Sequence, residues 1–232
     1  MKNLLRIITI ALLPCTVYAQ TTPDERRLGA WYMYFFQKKI ASSAWGFQGD
    51  YQYRSWNGGS DLEQLLLRSG ITFRPKSDDI TFTAGYAYVL TGAYGTGDKA
   101  TFNENRVYQE ALVPQKIADR FYLTHRFRYE QRWVQNQDFR TRFRYNLFVN
   151  VPLNREKMEK NAVYLALYNE IFINGETSIG DGQAVQLFDR NRTYSGVGYG
   201  LANGLRSQLG WMLQTTAGWQ KGQLQLSLHH IL

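Results

Sequence analysis

The chain has 232 residues, 44% hydrophobic and 20% charged, with a net charge of +8 and a single cysteine. That thiol, Cys15, falls in the first 19 residues, so a disulfide framework is excluded, and thiolate catalysis and cysteine-held metal are excluded for everything that follows. No stretch beyond Leu13 is long and apolar enough for a spanning helix, which needs ~20 residues, yet aromatic residues reach 15%, with 16 Tyr, 13 Phe and 6 Trp.

The first 19 residues read as a secretory signal. Met1 to Arg6 is basic, Ile7 to Leu13 is apolar, and Val17 and Ala19 are the small residues a signal peptidase reads. Cleavage is expected before Gln20, which leaves 20–232 as one domain. An apolar core this short is a poor membrane anchor. A lipid-modified Cys15 would need a small residue where Pro14 stands. Loss of Lys2 and Arg6 takes the charge of +8 to 8 − 2 = +6. In an exported chain a basic balance points to anionic lipid headgroups and lipopolysaccharide phosphates as partners, and away from nucleic acid.

Beyond the signal the pattern has a period of two, the period of a strand and not of a helix. Trp45, Phe47, Tyr51 and Tyr53 alternate with Gln48, Asp50, Gln52 and Arg54. Phe82, Ala84, Tyr86, Tyr88 and Leu90 alternate with Thr83, Gly85 and Ala87. Phe121, Leu123, Phe127, Tyr129 and Trp133 alternate with Thr124, Arg126, Arg128, Glu130 and Arg132, and Phe143, Tyr145 and Leu147 alternate with Arg140, Arg142, Arg144 and Asn146. Leu224, Leu226 and Leu228 alternate with Gln223, Gln225 and Ser227. Candidate strands lie near 28–38, 44–56, 62–74, 80–91, 105–116, 120–133, 138–150, 162–174, 189–201, 205–215 and 222–232.

Many of these run to about ten residues or more, the length that crosses a bilayer at a tilt, where soluble strands average ~5–6. Arginine at every second position cannot line a dry core, but it can line a hydrated lumen. The pattern therefore predicts an all-β fold: a single antiparallel up-and-down transmembrane β-barrel. The segments number eleven, but single-chain bacterial barrels are even, so ten to twelve strands are expected, with twelve preferred. Asn57-Gly58-Gly59, the cluster from Pro75 to Asp79 and Asn203-Gly204 read as turns. The longer segments Gly92 to Asn105 and Asn174 to Phe188 read as loops at the cell surface.

Several motifs in order carry a family resemblance: Gly29-Ala30-Trp31-Tyr32, Glu104 to Glu110, His125 to Arg132, Asn169 to Asn174, Asn191-Arg192, Gly196-Val197-Gly198-Tyr199 and Leu226 to His230. From about residue 28 onward the chain resembles the uncharacterised outer-membrane barrel family filed as domain of unknown function 2490, common in Bacteroidetes. The resemblance implies fold and an outer-membrane location and carries no activity. The chain departs from barrel habit at its last residues, Ile231-Leu232, where an aromatic is common.

The arginine ladder is the strongest local feature. Arg126, Arg128 and Arg132 on one strand neighbour Arg140, Arg142 and Arg144 on the next. So many confined cations repel, and Asp50, Glu63, Glu110, Glu130 and Glu170, on inward-reading faces, are the carboxylates expected to oppose them. One reading is a salt-bridged plug in a non-enzymatic barrel. The other is an anion-selective lumen, since rings of arginine select anions. Catalysis has little to stand on. The histidines are His125, His229 and His230, with no metal-spaced pair on one face, and no metal or other cofactor is expected. Ser227 and His229 share a face, which leaves a lipid-modifying outer-membrane enzyme as an alternative, although a polar lumen lining accounts for both. The glycines of Gly196-Val197-Gly198-Tyr199-Gly200 read as relief of crowding in a strand, not as a phosphate loop.

Overall fold

The computed structural model describes residues 23–77, 79–95 and 100–232. The predicted signal and its cleavage site lie outside the described residues. Eleven strands close into a barrel: β1 (Gly29–Lys39), β2 (Trp45–Asn57), β3 (Ser60–Phe73), β4 (Thr81–Gly92), β5 (Thr101–Ile117), β6 (Phe121–Val134), β7 (Arg140–Pro152), β8 (Val163–Asn174), β11 (Phe188–Ala202), β12 (Leu205–Thr215) and β13 (Gln220–Ile231). Between β8 and β11 a small hairpin, β9 (Ser178–Gly180) and β10 (Gln183–Ala184), stands apart from the barrel sheet. Each of the eleven segments read from the alternation is one barrel strand.

The expectation of an even count is corrected by that number. Strands that alternate up and down bring the first and last side by side in the same direction when the count is odd. β1 and β13 accordingly pair in parallel over nine positions, from Gly29↔Gln223 to Gln37↔Ile231, and every other seam is antiparallel. A parallel ladder is only slightly weaker per residue, and it leaves no free edge.

The strands are long for a physical reason that the alternation already carries. The barrel strands run from 11 residues in β1 and β12 to 17 in β5. Their outer faces are apolar and exposed, as at Ile71, Tyr51, Phe127 and Leu209, which are 63%, 49%, 51% and 54% exposed. Their inner faces are polar and closed, as at Gln223 and Glu130, 0% and 1% exposed. A soluble ligand-binding barrel has the opposite polarity.

One wall of the interior is aromatic instead of charged. Trp31, Tyr164, Ala166, Tyr194 and Met212 pack together there, with Met33 and Tyr168 against them. The strand glycines make room for these rings. A Cβ at Gly198 would stand 2.0 Å from the Tyr164 ring, and one at Gly196 would stand 2.2 Å from the Tyr194 hydroxyl. The expected relief of crowding is thus specific: it is space for two tyrosines inside the barrel.

The two long connections, 93–100 and 175–187, open at one end, the end at which β1 begins. β13 finishes at the other. The Asn203-Gly204 turn joins β11 to β12 there, with Gly204 at φ 82°. β5 begins at Thr101, four residues before the predicted start, and this brings Glu104 into the barrel wall.

Gly198→Ala is expected to destabilise the barrel by about 1–3 kcal/mol through overpacking against Tyr164. Urea unfolding in detergent checks it, and a second change, Tyr164→Ala, is expected to recover part of the loss.

Candidate functional site in the lumen

Alternation sets the site. On β6 and β7 the inner positions meet in register as Arg128↔Arg144, Glu130↔Arg142 and Arg132↔Arg140. Like charges opposite one another destabilise a sheet, so two of these three pairs need carboxylates from elsewhere. Glu130 serves first. Its Oε2 accepts from Arg142 Nη2 at 2.6 Å, and its Oε1 accepts from Arg144 Nη1 at 2.6 Å. Arg106 and Arg128 each stand 3.9 Å from Oε1. Glu170 Oε1 accepts from Arg144 Nη2 at 2.5 Å and Arg126 Nη2 at 2.7 Å. Glu110 accepts from Arg128 and from Gln48, the latter at 2.9 Å. Asp50 accepts from Arg68 at 2.5 Å and from Gln52 at 2.5 Å.

The predicted cluster is therefore brought together in large part, but three members differ: Asp50 on β2 pairs with Arg68, outside the ladder, and Glu63 and Arg140 are the others. Glu63 is buried, yet it opposes no arginine of the ladder. It accepts from Trp31 Nε1 at 2.8 Å and from Gln223 at 3.2 Å. The reason is position: β3 is three strands away from β6 around the wall. Arg140 is buried at 7% exposure and has no carboxylate partner among the described residues, and its Nε has no hydrogen bond.

Several lumen residues lie outside the predicted cluster. Glu104 bonds both Arg106, at 2.7 Å, and Arg132. The signal for it was present, because Glu104, Arg106, Tyr108 and Glu110 are spaced by two on one face; a strand placed from 105 excludes it. Asp189 accepts from Arg142 at 2.9 Å and from Arg190 at 3.1 Å, at the mouth of a long loop where periodicity fades. Arg54 and Arg192 lie against Trp31, their guanidinium carbons 3.9 and 4.7 Å from its ring centroid. This cation–π geometry has no signature in a single strand.

Charge does not balance. Nine arginines and Lys221 are buried among the described residues, against six carboxylates. Lys221 is satisfied by backbone instead, donating to the carbonyls of Asp24 at 2.8 Å and Arg27 at 2.5 Å. The segment before β1 is thereby tied to the start of β13. Trp56, bonded to the Gly92 carbonyl at 3.2 Å, packs edge-on against Tyr94 and Trp219 at the same end. A cavity of about 390 Å³ remains inside the barrel. It reaches from Gln37, Gln48 and Ile231 at the far end down to Arg54 and Arg132. Glu63, Gln214, Lys221 and Gln223, all 3% exposed or less, lie beyond its floor.

Ser227 and His229 line the cavity, and Ser227 Oγ lies 3.0 Å from His229 Nε2. The His229 ring stacks on Phe35 at 4.7 Å, and among the described residues no carboxylate hydrogen-bonds it. His125 and His230 bond Tyr145 at 2.8 Å and Tyr34 at 2.9 Å, away from that pair.

The sequence model of the family described as "Protein of unknown function (DUF2490)" matches residues 28–225. The chain belongs to this family. The DUF2490 match takes in all six buried carboxylates and stops before Ser227 and His229. Comparison with curated proteins finds no match.

Glu130→Gln strips the shared charge from Arg142 and Arg144 while keeping the side-chain shape. It is expected to cost about 3 kcal/mol, the low end for breaking a buried ion pair, because Asp189 and Glu170 still serve Arg142 and Arg144. Asp79→Asn, whose pair with Arg74 is solvent-exposed, is expected to leave the unfolding midpoint unchanged. Equal effects of the two in a urea titration would show that the lattice does not hold the barrel.

Proposed function

We propose that this protein is a non-enzymatic barrel of a Gram-negative outer membrane, with a lumen shut to solute flow. One observation carries the reading: a buried, charged interior is wrapped in an exposed apolar wall. Exposed faces bearing Ile71, Phe127, Leu209 and Trp211 suit a hydrocarbon solvent, and a closed ladder suits a solvent that cannot satisfy backbone groups. The signal read in the first 19 residues supports export. Lipid and lipopolysaccharide are then the partners of the wall, and the +6 balance favours their phosphates.

Closure rests on how the interior is filled. Open aqueous pores belong to barrels of ~16 strands, while about eight leave room only for side chains. At eleven strands the outcome depends on what fills the space. Here long arginines reach across to carboxylates on other strands, as Arg126 does to Glu170, and the layer from Glu63 to Lys221 lies under the cavity floor.

Fractionation is expected to place the protein in the outer membrane, with heat-modifiable gel migration and no steady current in planar lipid bilayers. Recovery from the soluble periplasm defeats the location, and a sustained anion-selective current defeats the closure. Leu209→Arg, at the middle of β12, is expected to lower stability in lipid vesicles by about 2–4 kcal/mol, the depth-dependent cost of a cation facing lipid.

A lipid-modifying enzyme is the second reading, and the Ser227–His229 bond of 3.0 Å favours it. A serine nucleophile needs such a base, and the base normally has a third group to orient it. Ser227→Ala is expected to leave phospholipid and lipopolysaccharide profiles unchanged; an altered profile would reinstate the enzyme.

A further inference from the structure

The unbalanced positive charge is gathered at the cavity. Arg54, Arg192 and Arg206 all line it, and none has a carboxylate partner among the described residues. Their donors go to neutral groups. Arg54 bonds the side-chain oxygens of Gln52 and Gln64, both at 2.6 Å. Arg192 gives one hydrogen bond, to Gln214 at 2.7 Å, out of the five N–H donors a guanidinium carries. Arg206 donates to the Met158 sulfur at 3.5 Å and lies over the Tyr164 ring, 6.0 Å from its centroid.

Arg54 and Arg192 share the Trp31 ring, so two cations sit close together in a confined space. Both are nearly fully buried, at 6% and 5% exposure. Buried charge without a partner is costly, and these two cations are held by ring stacking and by hydrogen bonds to neutral glutamines, with no carboxylate at ion-pair distance among the described residues. The cavity wall beside them is apolar: Met33 and Phe35 follow Trp31 on the inner face of β1, Tyr194 follows Arg192 on β11, and Met33, Tyr168 and Tyr194 pack with Trp31. A volume of about 390 Å³ lies in the range that holds a small organic ligand.

We propose that the lumen cavity binds a small organic anion, with a phosphate or carboxylate at Arg54 and Arg192 and a flat or short apolar body against Tyr168, Tyr194 and Met33. Arg206, paired in register with His229, stands nearer the mouth and draws the anion in. The ligand enters at the end where β13 finishes, because the floor lies toward the other end. The proposal rests on reading the lumen as a cup closed at one end, and the two fail separately: a barrel that passes current and still binds the anion loses only the closure.

Calorimetry on the full barrel in neutral detergent at low salt tests it, with phenyl phosphate as the probe. Saturable one-to-one binding is expected, at least about tenfold tighter than that of inorganic phosphate, with no binding of benzyl alcohol. Arg192→Gln and Arg206→Gln are each expected to weaken binding, Arg192→Gln by about tenfold or more, in proteins that keep heat-modifiable migration. Absence of saturable binding to the native barrel overturns the proposal. So does equal affinity for inorganic phosphate, or unchanged affinity in a folded Arg192→Gln barrel.

Discussion

The fold depends on the sharing of few carboxylates among many guanidinium groups. Glu170, Glu110 and Glu104 each serve two arginines at hydrogen-bond or ion-pair distance and Glu130 serves four, and each acid reaches at least one of them across a strand boundary. A carboxylate has about four lone-pair sites and a guanidinium five donors, so each acid can join more than one base without a loss of geometry. Lysine would be a poorer substitute here, because its compact ammonium on a flexible stem lacks the rigid planar fork with which Arg144 holds Glu130 and Glu170. The inner wall is thereby cross-linked electrostatically where a soluble protein would have a hydrophobic core.

On the proposed outer-membrane location, that substitution follows from the solvent outside: with lipid against the exposed apolar face, burial of apolar side chains inside would gain little, since lipid tails are as apolar as leucine. Backbone ladders and interior polar contacts must then hold the barrel. Closure of the ladder is indifferent to strand parity as long as the last seam forms, and β1 with β13 forms it in parallel. The cost of a parallel seam is slight beside that of a free edge.

Much of this was legible in the sequence, and what was not has a clear cause. Period two assigned the faces correctly over the strands it reached: Arg128, Glu130 and Arg132 point in, and Phe127, Tyr129 and Trp133 point out, because a strand cannot turn one set without the other. The ladder's need for carboxylates followed from charge alone. The identity of each partner did not, because it depends on which strands face each other across the lumen. Glu63 shares the parity of an inward residue, yet it meets Trp31 on β1 and not the ladder. Glu104 was lost by a boundary four residues out, where loop and strand have the same composition. The parallel seam is invisible to any local pattern, since it joins the first strand to the last.

The two kinds of interior wall explain one another. Several arginines of β6 and β7 that bond carboxylates lie over rings as well, as Arg144 does on Phe172 at 4.4 Å. Arg192, with no carboxylate at ion-pair distance among the described residues, lies on Trp31 and Phe172, both at 4.7 Å. The neighbouring rings of Tyr164 and Tyr194 need depth, and Gly196, Gly198 and Gly210 give it by leaving the wall bare behind them. A barrel filled only by ion pairs would have no space left, and one lined only by rings would have no charge to offer. The cavity persists because the charged wall and the aromatic wall meet there without closing on each other, while at the end where β1 begins Lys221 is tied to the carbonyls of Asp24 and Arg27, just before β1.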